Sequence, residues 1–227
     1  ENGAGKSTLI KILAGVYPHP EYGGGILLDG SERRFANVRD AERARIAVIY
    51  QELSLVKDMS VAENIFLGRE PRRFGIINWE KLYSGAQKLL DDLRLTIDPL
   101  TPVRNLGIGQ QQLVEIAKAL SQDARIVVLD EPTAALTDAE VETLFVILNK
   151  LRSRGVAMIY ISHKLDEVFR ISSRITVLRD GRTIGTEATA DTDEAGVIAK
   201  MVGREVGQIF PASTHQRGDI VFEARNV

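Results

Sequence analysis

The apolar residues follow two patterns along the chain: helical spacing in some segments and unbroken runs in others. Residues 9–13 have the three-and-four spacing of one helix face, and Gly15 and Pro18 end that pattern. Residues 46–50 instead form an unbroken apolar run, which is typical of a strand that is covered on both faces. Further apolar runs predict a short strand with an Asp-Gly turn at residues 25–30 and strands at 126–129, 157–161 and 175–178.

A long segment between these strands has helical periodicity. Residues 79–93 and 110–120 are predicted helices, and Ser60-Val61-Ala62-Glu63 has the capping-box sequence of a helix start. A second capping box, Thr137-Asp138-Ala139-Glu140, begins a long helix after the strand at 126–129. We therefore predict an α/β fold with a mostly parallel sheet and an inserted α-helical subdomain.

The same patterns set the expected domain boundaries. The core comprises residues 1–52 and 122–210, and the helical subdomain comprises residues 53–121. Residues 211–218 are polar and contain Pro211, as linkers often do. Residues 219–227 alternate like the opening strand of a second domain, and no strand precedes the glycine-rich start of the chain. We therefore expect the chain to be a fragment of a longer protein.

Composition excludes several classes of function. The chain has 227 residues, a formal net charge of -2 and no Cys. This charge gives no electrostatic footprint for nucleic acid, and the lack of Cys excludes disulfides and thiolate sites and fits a reducing cytoplasm. No apolar run approaches the roughly 18 residues of a membrane span. We therefore expect no direct membrane insertion, and contact with a membrane only through a partner that spans it.

The first candidate site is the loop Asn2-Gly3-Ala4-Gly5-Lys6-Ser7-Thr8. Its glycines let the backbone turn tightly, so that N–H groups face a polyphosphate. Lys6 is expected to reach the terminal phosphates, and the Ser7 hydroxyl to ligate Mg²⁺. The alternative is a glycine-rich turn that caps a helix, because the first glycine of the motif G-x-x-x-x-G-K-[ST] would precede Glu1.

The second candidate site is the acid pair Asp130 and Glu131, which follows the apolar strand at 126–129. Open α/β sheets bind ligands at the carboxyl ends of their strands. Asp130 is the predicted Mg²⁺ ligand, and Glu131 is the predicted general base that orients and deprotonates a water molecule. The alternative is a solvated turn before Pro132, but four apolar residues that lead directly into two acids favour a functional pair.

Two further polar residues follow predicted strands. Gln51 can offer its amide oxygen to Mg²⁺ or water, and His163 can bind a γ-phosphate and hold the attacking water. Each residue also has a non-functional explanation. Gln51 would then be an ordinary polar residue after a strand, and His163 would be a structural histidine. The predicted catalytic residues are thus Glu131, His163 and Gln51, and the predicted metal ligands are Ser7, Gln51 and Asp130.

A third candidate site is the segment Leu106-Gly107-Ile108-Gly109-Gln110 at the start of a predicted helix. Helix N-termini bind anions, so Gly107, Gly109 and Gln110 are predicted ATP contacts, although a plain helix entry is the alternative. A second phosphate site so far along the chain predicts that two copies close around one ATP.

In this order the motifs resemble those of the ATP-binding subunits of ABC transporters. The resemblance covers nearly the whole chain and implies a P-loop NTPase core that binds ATP with Mg²⁺ between two head-to-tail nucleotide-binding domains. It matches residues 2–8 to the Walker A loop, Gln51 to the Q-loop, 106–110 to the signature, 126–131 to Walker B, 134–137 to the D-loop and His163 to the H-loop.

Residues 15–19, 63–68 and 109–116 are similar to those of the carbohydrate importers in this family. The likeness implies an ATPase at the cytoplasmic face of a bacterial membrane that powers import of a monosaccharide, with a pentose such as xylose favoured. The implied partners are transmembrane permease subunits, a substrate-binding protein and a second nucleotide-binding domain. Residues 52–64 are the predicted contact with the permease.

Two positions depart from the family pattern. Gly107 stands where the signature usually has serine, which removes one hydrogen bond to the γ-phosphate, worth about 1.5–3 kcal/mol. We therefore expect weaker or asymmetric use of this site. Thr137 stands where the D-loop usually ends in aspartate, and it is expected to cap the following helix.

Two other classes of function stay open. Soluble ABC ATPases of DNA repair carry a very long coiled coil between the Q-loop and the signature, and those of translation carry a basic linker. This chain has no sustained heptads in the first region, and residues 211–218 are not basic. A module that binds nucleotide without hydrolysing it is disfavoured by the complete acid pair Asp130 and Glu131.

Overall fold

The structure is a computed structural model, and it describes residues 3–203. The helices are α1 (Lys6–Leu13), α2 (Val38–Arg43), α3 (Val61–Ile65), α4 (Trp79–Asp92), α5 (Ile108–Leu120), α6 (Asp138–Ser153), α7 (Leu165–Ile171) and α8 (Glu194–Val202). The strands are β1 (Ile26–Leu28), β2 (Ser31–Arg33), β3 (Ile46–Ile49), β4 (Arg72–Arg73), β5 (Ile76–Ile77), β6 (Ile126–Asp130), β7 (Ala157–Ile161), β8 (Arg174–Arg179) and β9 (Arg182–Ala188).

A parallel sheet with the strand order β3-β6-β7 forms the centre of the fold. Its register pairs Ile49 with Leu129 and Asp130 with Ile161. The middle strand β6 is apolar and buried because helices and neighbouring strands cover it. Since the three strands run in the same direction, their carboxyl ends meet at one edge, as the predicted α/β fold requires.

The segment 53–121 contains α3, α4 and α5 and packs against the sheet through a shared apolar cluster. The predicted capping box at its start is confirmed. The Glu63 N–H donates to Ser60 Oγ at 3.2 Å, and the Ser60 N–H donates to the Glu63 carboxylate at 2.8 Å. Residue 52, the end of the predicted core segment, lies between β3 and α3.

Some elements differ from the sequence prediction. The strand β7 is only partly buried, because within residues 3–203 it pairs with β6 alone and so forms the edge of the sheet. The strand β8 forms an antiparallel hairpin with β9 instead of extending the parallel sheet. The helices α2 and α7 and the hairpin β4–β5 were not predicted from the sequence pattern. The predicted linker and second-domain strand at 211–227 lie outside the described residues.

Three hairpins, β1–β2, β4–β5 and β8–β9, turn over two residues each. Their turns are Asp29-Gly30, Phe74-Gly75 and Asp180-Gly181, and all six residues have positive φ angles. None of the helices described here has the length and apolar character needed to cross a membrane.

Candidate functional site

The parallel sheet brings the predicted catalytic residues to its carboxyl edge. Gln51 follows β3, Asp130 ends β6, and His163 lies two residues beyond the end of β7. The N–H group of Glu131 donates to the carbonyl oxygen of Ile161 at 2.8 Å, which ties the acid pair to the neighbouring strand. The three strand ends therefore form a single polar site.

The carboxylate of Glu131 lies between two of these side chains. His163 Nδ1 is 3.2 Å from Glu131 Oε1, and Gln51 Nε2 donates to Glu131 Oε2 at 3.5 Å. Glu131 also has a left-handed backbone with φ 48, which costs a non-glycine residue roughly 1 kcal/mol. Strained residues of this kind are concentrated at functional sites. The surrounding contacts thus hold Glu131 in one orientation.

Asp130 interacts electrostatically with both Glu131 and Lys6. Burial raises the pKa of Asp130, the adjacent Glu131 charge raises it further, and Lys6 at the start of α1 lowers it. Burial also raises the pKa of Tyr50, with a further contribution from Asp130. Lys6 therefore lies within electrostatic range of the acid pair, and an additional cation at this point would relieve the repulsion between the two carboxylates.

The glycine-rich loop places the start of α1 beside this acid pair. Gly3 and Gly5 have φ angles of 90 and 91, which glycine adopts without strain. The buried Ile10 packs α1 into one apolar cluster with Ile46 of β3 and Val128 of β6. The N–H groups in the first turn of α1 lack helical acceptors and are free to bind an anion. Asn2 lies outside the described residues, and Ala4 and Thr8 belong to this loop and first turn.

The oxygen groups at the site fit Mg²⁺. The Ser7 hydroxyl, the Gln51 amide oxygen and the Asp130 carboxylate are hard oxygen donors of the kind that Mg²⁺ prefers. Within residues 3–203 no three His, Cys, Asp or Glu side chains are grouped to hold a metal by themselves.

Glu167 of α7 supports the site and was not predicted. Only 4% exposed, it accepts hydrogen bonds from Thr133 Oγ1 and from the Tyr160 hydroxyl, both at 2.8 Å. It also accepts from Ser162 Oγ at 3.3 Å. It thereby joins the loop after Glu131 to the loop that carries His163. Its sequence signal was weak, because a single acid in the first turn of a helix is usually solvated.

The carboxylate of Glu167 is ionised despite its burial. Burial raises its pKa, but the hydrogen bonds from Thr133 and Tyr160 and the nearby Lys164 ammonium lower it more, so that the pKa lies below its ordinary value of 4.5. Burial and the Glu167 charge in turn raise the pKa of Tyr160. The group is thus a fixed negative charge behind the His163 loop.

The segment 106–110 forms the entry to α5. Gly107 precedes the helix, its N–H donates to Gln110 Oε1 at 3.3 Å, and Gln111 Nε2 donates to the Leu106 carbonyl at 2.9 Å. Gly109 lies against α6, since a Cβ atom there would be 2.2 Å from a Glu140 carboxylate oxygen. Among the residues that the structure describes, no hydrogen bond joins this segment to the loop 3–8.

Curated relatives match the whole length of the chain. The xylose import ATP-binding protein XylG of Moorella thermoacetica is 58% identical over 226 residues, covering 100% of this chain and 45% of that protein. XylG of Yersinia pseudotuberculosis is 50% identical over 227 residues, covering 100% of this chain and 44% of that protein. The chain spans about half the length of the curated relatives it matches.

Solved structures and a family profile give the same result. A nucleotide-free ATP-binding cassette from an ABC transporter has a TM-score of 0.72 and 25% identity, covering 83% of this chain and 78% of that chain. A dimeric cassette in a post-hydrolysis state with ADP and Pi has a TM-score of 0.69 and 25% identity, covering 83% and 82%. The profile described as ABC transporter matches residues 1–134. The chain belongs to the ABC transporter family.

Proposed function

We propose that the protein is the ATP-hydrolysing subunit of an importer for a monosaccharide such as xylose. The observation that carries this proposal is the Glu131 carboxylate, held by Gln51 and His163 beside Asp130 at the edge of the sheet. The relatives' names specify xylose import, which supports xylose as the imported sugar and favours import over a role in translation or DNA repair. The protein then works at the cytoplasmic face of a bacterial membrane.

Binding of ATP is assigned to the loop at the start of α1. The Lys6 ammonium acts electrostatically on Asp130, which supports a site for the terminal phosphates between Lys6 and the acid pair. When bound, Mg²⁺ would neutralise phosphate charge, and Ser7, Gln51 and Asp130 are the residues that would hold it. Burial and the adjacent Glu131 charge raise the pKa of Asp130, and a cation bound there would lower it, as Lys6 does.

Hydrolysis is assigned to Glu131 as general base. A water molecule beside its carboxylate gives up a proton to Glu131 while the water oxygen bonds to the γ-phosphorus, and the bond from that phosphorus to the β–γ bridging oxygen breaks to release ADP. His163, 3.2 Å from the same carboxylate, is placed to hold that water against the phosphate. The contact from Gln51 is long at 3.5 Å and therefore weak, and Gln51 would hold Mg²⁺ through its amide oxygen.

The test compares Glu131→Gln with Glu142→Gln in the whole protein. Glu142 lies on the exposed side of α6 and pairs with Arg170, so its variant loses one surface ion pair and little else. Glu131→Gln should retain ATP binding and lose phosphate release by roughly a hundredfold or more, as removal of a general base does. Turnover of Glu131→Gln equal to that of Glu142→Gln would remove Glu131 from this role.

The signature segment at Gly107 is proposed to face the nucleotide that a second nucleotide-binding domain holds. Gly107 has φ -61 and ψ 156, a backbone in which serine is a preferred helix cap. Gly107→Ser should therefore keep α5 intact and add a γ-phosphate hydrogen bond. We expect ATP affinity of the whole protein to rise about tenfold or more, since such a bond is worth about 1.5–3 kcal/mol. Unchanged affinity would show that this segment does not meet the nucleotide.

Contact with the permease is proposed for residues 52–64, which lead from Gln51 into α3. The fully buried Asn64 fixes this segment, because its Oδ1 accepts from the Val56 N–H at 2.7 Å and its Nδ2 donates to the Val56 carbonyl at 2.9 Å. Ser54 donates to the Glu115 carboxylate of α5 at 2.6 Å. The segment is therefore a rigid connection between the Gln51 site and the helices.

Site-directed crosslinking tests this contact in the assembled importer. Lys57 is exposed, whereas Leu55 packs partly against the core, so a photocrosslinker at position 57 is the more direct probe. We expect it to label a membrane subunit, and a crosslinker at the exposed Lys88 of α4 serves as the control. If a crosslinker at Lys88 labels the membrane subunits and crosslinkers at Lys57 and Leu55 do not, the permease contact lies outside residues 52–64.

A further inference from the structure

The hairpin β4–β5 has an unusual residue at its tip. In the hairpins β1–β2 and β8–β9 the first turn residue is Asp29, with φ 51, and Asp180, with φ 50. Asp-Gly is a favoured pair for this turn, because both positions need positive φ. The third hairpin has Phe74 at the same position with φ 53, where a bulky side chain is strained. Turn formation therefore does not explain the choice of phenylalanine.

The hairpin directs this tip into solvent. Phe74 is 92% exposed and Ile76 is 74% exposed. Cross-strand pairing places Arg73 opposite Ile76 and Arg72 opposite Ile77, so each pair shares one face. Ile77 packs against the apolar core and fixes the inner face. The outer face consequently presents Ile76 and Arg73 next to the ring of Phe74, which lies 5.6 Å from the Arg73 guanidinium.

We propose that this tip inserts into the headgroup region of an anionic lipid bilayer. An aromatic ring and an aliphatic side chain flanked by arginines match the two parts of such a surface, because phenylalanine and aliphatic side chains bury at the boundary between headgroups and acyl chains, and arginines attract anionic headgroups. Arg72 pairs with Glu70 at 3.5 Å, whereas Arg73 makes no ion pair within residues 3–203, so Arg73 gives the tip a positive charge that complements the bilayer. The inference lies beyond the proposed ATPase function and uses none of its residues.

This assignment revises the expectation that the chain makes no direct membrane insertion. That expectation came from the lack of a spanning segment, and a hairpin tip at the interface spans nothing. Each arginine near an anionic surface strengthens binding about fivefold. Burial of a phenylalanine side chain strengthens it by roughly tenfold or more. The ring of Phe74 is therefore expected to contribute more than either arginine.

Vesicle co-sedimentation of the purified protein tests the assignment without nucleotide. The vesicles contain phosphatidylserine and phosphatidylcholine, or phosphatidylcholine alone. Phe74→Asn is the main variant, because asparagine suits the turn and keeps the hairpin. Arg73→Gln is the second variant. Leu27→Asn is the matched control, since Leu27 is 68% exposed on the hairpin β1–β2.

We expect the protein to bind the anionic vesicles more tightly than the neutral ones. Phe74→Asn should weaken that binding roughly tenfold and Arg73→Gln about fivefold, while Leu27→Asn leaves it unchanged. Equal binding by Phe74→Asn and the unchanged protein, or no preference for anionic vesicles, would overturn the assignment. Weaker binding of Phe74→Asn to detergent-solubilised permease with unchanged vesicle binding would show a protein contact instead. Because no ATP is present, none of these outcomes depends on the proposed hydrolysis.

Discussion

The close approach of Gly109 to Glu140 predicts opposite effects of Gly109→Ala on stability. The substitution should destabilise the protein that has Glu140 and stabilise the variant in which Glu140 is replaced by alanine. Gly109 lies in the first turn of α5, and Glu140 lies in the first turn of α6. A methyl group on Gly109 would be 2.2 Å from a carboxylate oxygen of Glu140, closer than unbonded atoms can approach. The substitution Gly109→Ala must therefore displace the Glu140 side chain.

The cost follows from the hydrogen bonds that Glu140 makes. Its Oε2 accepts from the Thr137 N–H at 2.9 Å and from the Thr137 hydroxyl at 2.8 Å, and so caps α6. Their loss costs about 2 kcal/mol, at about 1 kcal/mol for each bond. Alanine in a helix is in turn favoured over glycine by up to about 1 kcal/mol. Gly109→Ala should therefore destabilise the protein by about 1 kcal/mol, yet stabilise the Glu140→Ala variant by up to about 1 kcal/mol.

Urea unfolding of four proteins measures this coupling: the unchanged chain, the two single variants and the double variant. We expect a coupling free energy of about 2 kcal/mol between the two substitutions. For a protein of this size, each 1 kcal/mol also shifts Tm by roughly 2–4 °C. If the two effects on the free energy of unfolding add within about 0.5 kcal/mol, the two side chains do not compete for one space.

Two further predictions concern pH and backbone strain. The hydrogen bonds from Thr133 and Tyr160 hold the pKa of Glu167 below 4.5, so its contribution to stability is present above that pH and is lost as the pH falls through the lowered pKa. Glu167→Gln should be less stable than the unchanged protein at neutral pH and should lose less stability on acidification. Urea unfolding at several pH values measures both effects. The same pH dependence of stability in the two proteins would contradict an ionised Glu167. Phe74→Asn should raise the free energy of unfolding by about 1 kcal/mol, because the left-handed conformation strains phenylalanine more than asparagine. Thermal unfolding with Leu27→Asn as control measures this effect, and a loss of stability in Phe74→Asn would show that the ring packs against the protein.

Features set by short-range interactions were predictable from the sequence. The capping boxes at Ser60 and Thr137 depend on residues three positions apart, and the structure contains the expected bonds from Ser60 and Thr137 to Glu63 and Glu140. The strand ends were predictable for a similar reason, because parallel strands share one edge of the sheet. The apolar runs that lead into Gln51, Asp130 and His163 were therefore sufficient to place these three residues together.

Features set by tertiary neighbours were not predictable. The pairing of β8 with β9 depends on which strand edge is available, and the apolar run of β8 does not encode that edge. The hairpin β4–β5 has strands of two residues each, too short for a period to show. The sequence predicts an ATP contact for Gly109, and only the structure identifies Glu140 as its neighbour within the chain. The supporting role of Glu167 is likewise evident only in the structure, where Thr133 and Tyr160 both donate hydrogen bonds to its carboxylate.

A crystal structure of the whole protein with Mg²⁺ and a non-hydrolysable ATP analogue tests the central claim most directly. We predict that Lys6 and Ser7 contact the triphosphate and its metal, and that Glu131 hydrogen-bonds a water molecule in line with the γ-phosphate. A nucleotide bound elsewhere, or Glu131 turned away from the γ-phosphate with no water between them, would contradict the account.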